Sequence, residues 1–237
     1  MCGRMAITLP PDAMSQMFSA APANDLPTVP NYNVCPTNDV HIVTSDAEGN
    51  RRLGAMRWGL IPHWYKKAGD GPLLINARSE TVADKPAFRA AVRERRGLIV
   101  ASGFYEWTKG ADGGRDPWYI TRQDGAPLAM AAIWQDWKDA DGNRSATCAV
   151  VTTAANDAMR EIHTRMPVIL TQDDWPLWLG EQGKGAATLM RAPPDDLLKW
   201  YRVSRAVNAN RAEGAELIDP VSPDQSPERE SANAISP

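Results

Sequence analysis

The 237-residue sequence predicts a single α+β domain. Its core is a largely antiparallel β-sheet or barrel, flanked by short helices and followed by a C-terminal tail. Three observations predict this. Apolar, β-branched and aromatic runs follow one another at 97–101 (GLIVA), 118–121 (WYIT), 128–134 and 147–153. The Gly- and Asp-bearing stretches at 109–116 and 139–143 have hairpin spacing. The helical windows are short, and the end of the chain turns to Pro, Ser, Glu and Asn, a composition too polar to order itself. The folded body is expected over residues 1–220 and a disordered acidic tail over 221–237, with 218–221 still able to pack on the body.

Each element has a local reason. Residues 10–20 open with Pro-Asp and place Met14, Met17 and Phe18 on one face, which predicts a short helix. Pro22, Pro27, Pro30 and Pro36 mark an extended, turn-rich stretch. Residues 41–44 (HIVT) read as a strand. Residues 81–95 read as a helix, with Phe88 and Val92 four apart on its buried side. Residues 155–162 are a further helix candidate and 167–170 a strand. Asp173 and Asp174 resemble an N-cap before a short helix at 175–179. Residues 193–201 read as a last helix.

Composition narrows the function classes. The net charge of −3 gives no overall nucleic-acid signal, but the acids are unevenly spread. Residues 1–207 hold 24 bases and 23 acids, so the body is near neutral. Cys2, Cys35 and Cys148 are odd in number and form no CxxC pair, and His41, His63 and His163 are scattered. This argues against a disulfide framework and against a metal site. There is no basic start followed by an apolar run, and no stretch near about 18 apolar residues. The expectation is a cytoplasmic protein with no membrane span, no cofactor and reduced thiols. Nine Trp against three Phe supply flat apolar faces for a flat ligand.

The opening Met-Cys-Gly carries a specific chemistry. Removal of Met1 is permitted by a small second residue and would leave Cys2 with an α-amine and a thiol on adjacent carbons. The amine ordinarily titrates near about 7.7–8.0 and the thiol near about 8.5, so a minority of each is nucleophilic at pH 7. With an aldehyde, the amine forms a Schiff base and the thiol closes a five-membered thiazolidine. An internal cysteine cannot do this, because its nitrogen is an amide. An N-terminal nucleophile also serves acyl transfer, with its own amine as base. By itself, Met-Cys more often marks no more than a cysteine near a frayed terminus.

The wider sequence resembles the SRAP family, the SOS-response-associated peptidases that process abasic sites in DNA. The resemblance begins with MCGR at 1–4. It continues in family order through NYNVCP (31–36), MRWGLIPHW (56–64), NARSET (76–81), GFYEW (103–107), IHTRMPVIL (162–170) and VSRAVN (203–208). Cys35, Ser102 and Thr164 depart from the usual pattern without removing a functional group, and Cys35 adds a second thiol. The resemblance implies a domain of that family's fold acting on abasic sites in single-stranded DNA. It implies a monomer that traps the sugar on Cys2 as a thiazolidine and is nucleoid-associated when bound.

It also implies roles. Glu106, between Tyr105 and Trp107, would be desolvated into acid/base range, hold and deprotonate the Cys2 amine, and assist Met1 release. His163 would aid opening of the deoxyribose ring. Asn76 would orient the sugar or the Cys2 backbone. Arg4, Arg78 and Arg165 would clamp phosphate if they converge, Trp64 would stack on a base, and Trp107 would shape the pocket. Trp58 is assigned to the core. Two rival readings remain at this point: an N-terminal-nucleophile amidohydrolase with Cys2 attacking an amide, and a non-covalent single-strand-binding module.

Overall fold

A computed structural model describes residues 2–23 and 25–221. In chain order its main elements are β1 (Met5–Ile7), α1 (Pro11–Phe18), β2 (Ala20–Pro22), β3 (Asn31–Val34), β4 (Asp39–Ser45), β5 (Arg51–Trp58) and β6 (Asn76–Arg78). There follow α2 (Arg89–Glu94), β7 (Arg96–Ala101), β8 (Gly103–Lys109), β9 (Arg115–Arg122), β10 (Leu128–Lys138), β11 (Arg144–Ala154), β12 (Arg165–Pro167), α3 (Trp175–Leu179) and β13 (Leu198–Arg202).

Five strands close on themselves. β4 pairs with β5 and β7, β7 with β10, and β10 with β11, all antiparallel. A short parallel pairing of β11 with β5, Thr147 with Arg57 and Cys148 with Trp58, completes the ring. Closure leaves these strands no open edge along the ring. Ile42 and Trp58 on one face of these strands, and Leu53, Leu98 and Ile133 on the other, are all fully buried. The Trp58 indole N–H donates to the Ile75 carbonyl at 3.0 Å, so this Trp is core, as expected. β6 lies on β11 in parallel, with Val150 opposite Asn76 and Thr152 opposite Arg78.

A second sheet, in the order β13-β9-β8-β1-β3, carries the N-terminal segment. β1 pairs with β8 through Met5–Phe104 and Ala6–Gly103, and the Tyr105 N–H donates to the Arg4 carbonyl at 2.9 Å. Continuing this antiparallel register sets Gly3 and Cys2 alongside Glu106 and Trp107. The ladder therefore brings the start of the chain to residue 106, about one hundred positions away. Tyr105, Tyr119, Val203, Val207 and Leu217 form a smaller core behind this sheet.

Several elements follow their local signals. α1 has Pro at its first turn and ends at left-handed Ser19, and α3 ends at left-handed Gly180. The Thr171–Asp174 capping box precedes α3. Both expected hairpin loops join paired strands.

Three expected helices are corrected. Residues 193–201 do not form a helix: β13 occupies their C-terminal half, because the open edge of β9 accepts five paired residues from Leu198 to Arg202. The helix expected at 81–95 is confined to Arg89–Glu94, and the chain before it turns around Pro86, whose ring disfavours helix at the preceding residue. At 155–162 only a 3₁₀ turn, Met159–Glu161, forms. Asn156 accepts from the Met159 N–H at 2.9 Å and donates to the Pro193 carbonyl at 3.1 Å. Near the C-terminus Leu217 is buried and Val203 bridges to Pro220, so 218–221 do pack on the body. The disordered tail expected from 221 otherwise lies outside the described residues.

Candidate active site

A cavity of about 490 Å³ opens between the N-terminal segment and the outer end of β8, lined by Gly3, Arg4, Glu106, Trp107, Arg115 and Asn208 among others. Cys2 is fully buried beside it. Burial pushes the Cys2 thiol far above its usual range, and the charge of Glu106 pushes the same way. Glu106 is 2% exposed. Burial raises its carboxyl above the ordinary range, opposed by nearby positive charge that includes His163 and Arg115. Cys2, Glu106 and His163 therefore form one electrostatically coupled group. Asn76 joins it from β6, its Nδ2 donating to the Cys2 carbonyl at 2.9 Å. The Asn76 Oδ1 is buried and meets no donor among the described residues.

His163 is oriented from behind. Its Nδ1 lies 2.9 Å from the Arg165 backbone nitrogen and 3.1 Å from the Arg165 carbonyl oxygen. The Arg165 side chain is engaged elsewhere. Its two terminal nitrogens meet the Glu80 carboxylate at 2.6 and 3.0 Å, and one also donates to the Thr152 carbonyl at 2.8 Å. Glu80 is held below its usual range chiefly by that bond. Arg78, two residues beyond Asn76 and on the same strand face, is exposed. Thr152 pairs with Arg78 on one edge and with Pro167 on the other, so Arg78 and β12 flank it.

Arg4 points inward. It donates to Asn33 Oδ1 at 2.5 Å, the Val207 carbonyl at 2.9 Å and Asn210 Oδ1 at 2.6 Å, with its guanidinium 5.8 Å from the Trp107 ring centre. Cys35 lies near this cluster, its sulfur 3.7 Å from the Asn210 carbonyl. Trp64, 49% exposed, lines a different cavity with His63, Pro86, Arg89 and Gln135. Among the described residues no group of three or more His, Cys, Asp or Glu side chains is arranged to hold a metal. No described helix is long and apolar enough to cross a membrane.

Compared with known proteins, residues 1–210 match the family model described as SOS response associated peptidase (SRAP). The chain belongs to the SRAP family. Its similarity to curated SRAP-type relatives is high along most of its length. It is 38% identical over 193 residues to the abasic site processing protein YoaM of Bacillus subtilis, covering 80% of this chain and 85% of that protein. It is 33% identical over 229 residues to the abasic site processing protein YedK of Escherichia coli, covering 93% and 100%. It is 28% identical over 269 residues to the abasic site processing protein HMCES of Rattus norvegicus, covering 93% and 76%. A crystal structure of a Bacteroides thetaiotaomicron protein shares the fold at a TM-score of 0.81 and 23% identity, covering 93% of this chain and 100% of that one. One from Bordetella bronchiseptica does so at 0.74 and 26%, covering 86% and 100%.

Within this SRAP fold, Arg115, Asn208, Asn33 and Asn210 stand at or around the cavity without having been singled out in the sequence. Arg115 sits in a Gly- and Asp-rich hairpin, where a charged residue reads as solvated. Asn208 closes the VSRAVN stretch, which was the one available signal for it.

Proposed function

We propose that this protein processes abasic sites in single-stranded DNA, capturing the sugar aldehyde on Cys2 after Met1 is removed. One observation carries the reading: Glu106, which lines the cavity, interacts by charge with Cys2 and His163, and Asn76 bonds the Cys2 carbonyl. The names of the relatives over most of the chain favour the same substrate.

The chemistry balances as follows. The Cys2 amine attacks C1 of the open-chain sugar and water leaves, giving a Schiff base. The thiol adds across the C=N bond, its sulfur joins C1, and its proton passes to nitrogen. The product is a thiazolidine, and the net loss is one water. Because burial keeps the thiol protonated, capture starts at the amine. A carboxyl raised above its ordinary range suits Glu106 to take a proton from the amine and return one to the departing hydroxyl. His163 serves ring opening of the sugar. Asn76 fixes the Cys2 carbonyl.

In this reading Met1 release precedes capture and is the peptidase step, with Glu106 assisting. Arg78 and Arg165 flank the path of the phosphates, Trp64 offers a stacking face, and Arg4 adds positive charge to the cavity wall. The folded unit spans residues 1–220 and acts as a monomer on DNA in the cytoplasm.

The test is to incubate Met1-free protein with a single-stranded oligonucleotide bearing one abasic site and run a denaturing gel. A shifted band is expected, and its loss in Cys2→Ala. With no band at all, the crosslinking reading fails. A band that persists in Cys2→Ala assigns the bond to a Schiff base, on the N-terminal amine or a lysine, and rules out the thiazolidine.

A further inference from the structure

We propose that the face of the β8–β9 hairpin bearing Lys109 and Arg115 binds the phosphate backbone of single-stranded DNA where the strand leaves the cavity. This rests on the reading of the cavity as a DNA site. Lys109 lies directly opposite Arg115 in the ladder, and Trp107 opposite Pro117. Since side chains alternate along a strand, Trp107, Lys109 and Arg115 share one face. Arg115 confirms this by lying 5.1 Å from the Trp107 ring centre. Like charges directly opposite one another weaken a sheet, so this pair costs stability when nothing anionic lies across it.

Asp112 and Asp116 do not relieve it, and Glu106, whose charge reaches Arg115, stands on the opposite face of β8. Asp112 meets two nitrogens of Arg205 at 2.5 and 2.8 Å, and Asp116 meets Arg205 at 2.6 Å and Arg202 at 3.0 Å. Asp116 faces away from Arg115, being the next residue along the strand. Among the described residues, Lys109 and the guanidinium of Arg115 make no hydrogen bond or ion pair, and both residues are exposed. The base of this cationic face is rigid. The Trp107 indole N–H donates to Asn208 Oδ1 at 2.6 Å, and Asn208 Nδ2 donates to the Arg115 carbonyl at 2.9 Å. Backbone and platform are thus fixed while two cationic tips are left for a ligand. A row of fixed cations continuing from an aromatic face fits a polyanion carrying stackable bases, which is single-stranded nucleic acid.

The test measures equilibrium binding of the wild-type protein, Lys109→Gln, Arg115→Gln and the double variant to an undamaged thymidine oligonucleotide across a salt series. Each single-strand phosphate contact contributes a slope of about 0.7 in log affinity against log salt. Each single variant should lower the slope by about that amount and the double by roughly 1.4. Arg115→Lys should restore it. Over a fourfold rise in salt, each lost contact removes about 2.6-fold of the salt sensitivity. Slopes equal to wild type in both single variants and the double, at unchanged melting temperature, overturn the proposal. So does a wild-type protein that does not bind the oligonucleotide. Because this DNA has no aldehyde, the result is independent of the covalent step, which the abasic oligonucleotide tests separately.

Discussion

Replacing Arg4 by Ala separates structural from DNA-binding roles at the cavity wall. Arg4 is 8% exposed and ties the N-terminal segment to β3 through Asn33 and to the C-terminal stretch through Val207 and Asn210. A hydrogen bond from a charged donor contributes about 1.5–3 kcal/mol, and the three share one side chain, so their losses do not add fully. Truncation also leaves the buried Asn33 Oδ1 without this donor. Together these give a destabilisation of about 3–5 kcal/mol, a large part of the roughly 5–15 kcal/mol that holds a domain folded. For a chain of this size that lowers the melting temperature by about 6–20 °C. Arg4→Lys keeps the charge but not the planar fork and should recover only part of the loss. Denaturant unfolding reads the stability, and a salt series with undamaged single-stranded DNA reads the phosphate contact. The expected pattern is a large loss of stability with little change in salt slope. Unchanged stability together with a slope lowered by about 0.7 would refute the inward role.

Other perturbations read other parts of the site. Burial holds the Glu106 proton to higher pH than in the unfolded chain, so the folded state binds more protons above the ordinary glutamate range. Stability contributed by this group therefore falls as pH rises through that window and levels off above the folded value. Glu106→Gln should abolish that fall in pH-dependent unfolding and slow crosslinking by about 100-fold or more; an unchanged pH profile of both would contradict it. Asn76→Ala removes the bond to the Cys2 carbonyl, of order 1.4 kcal/mol, so single-turnover crosslinking should slow about tenfold. A rate within twofold of wild type would exclude the orienting role. Trp178→Ala empties a fully buried site and removes a 2.9 Å bond to the Gly97 carbonyl, and should cost about 3–5 kcal/mol in chemical unfolding. A change below about 1 kcal/mol would mean that α3 does not pack on β7 as described.

The strands were legible where local chemistry and the ladder agree. Residues 97–101 and 147–153 are β-branched or small and apolar, and they are fully buried strands of the ring. The closing contact of β5 with β11 was not legible, because a parallel pairing across about ninety residues leaves no local pattern. Residues 193–201 were misread because Pro-Pro-Asp-Asp followed by Leu-Leu imitates a helix start. The partner that makes a strand of Leu198–Arg202 is β9, some eighty residues earlier. In the site, Cys2, Asn76, Glu106 and His163 were visible through their motifs. The approach of Cys2 to Glu106 follows from the β1–β8 register, which composition cannot reveal. The three arginines, a phosphate clamp if they converge, differ in engagement: Arg4 is bonded inward, Arg165 is paired with Glu80, and Arg78 is exposed. Arg115 was missed because its significance lies in what faces it across the hairpin.

The central claim is a covalent bond between the Cys2 aminothiol and an abasic sugar. Intact mass spectrometry of the unreduced crosslink, followed by peptide mapping, tests it directly. The account predicts the mass of the chain beginning at Cys2 plus the abasic oligonucleotide minus one water, with the DNA on the N-terminal peptide and no need for borohydride. An adduct that retains Met1, maps to another residue, or survives only after reduction would contradict it.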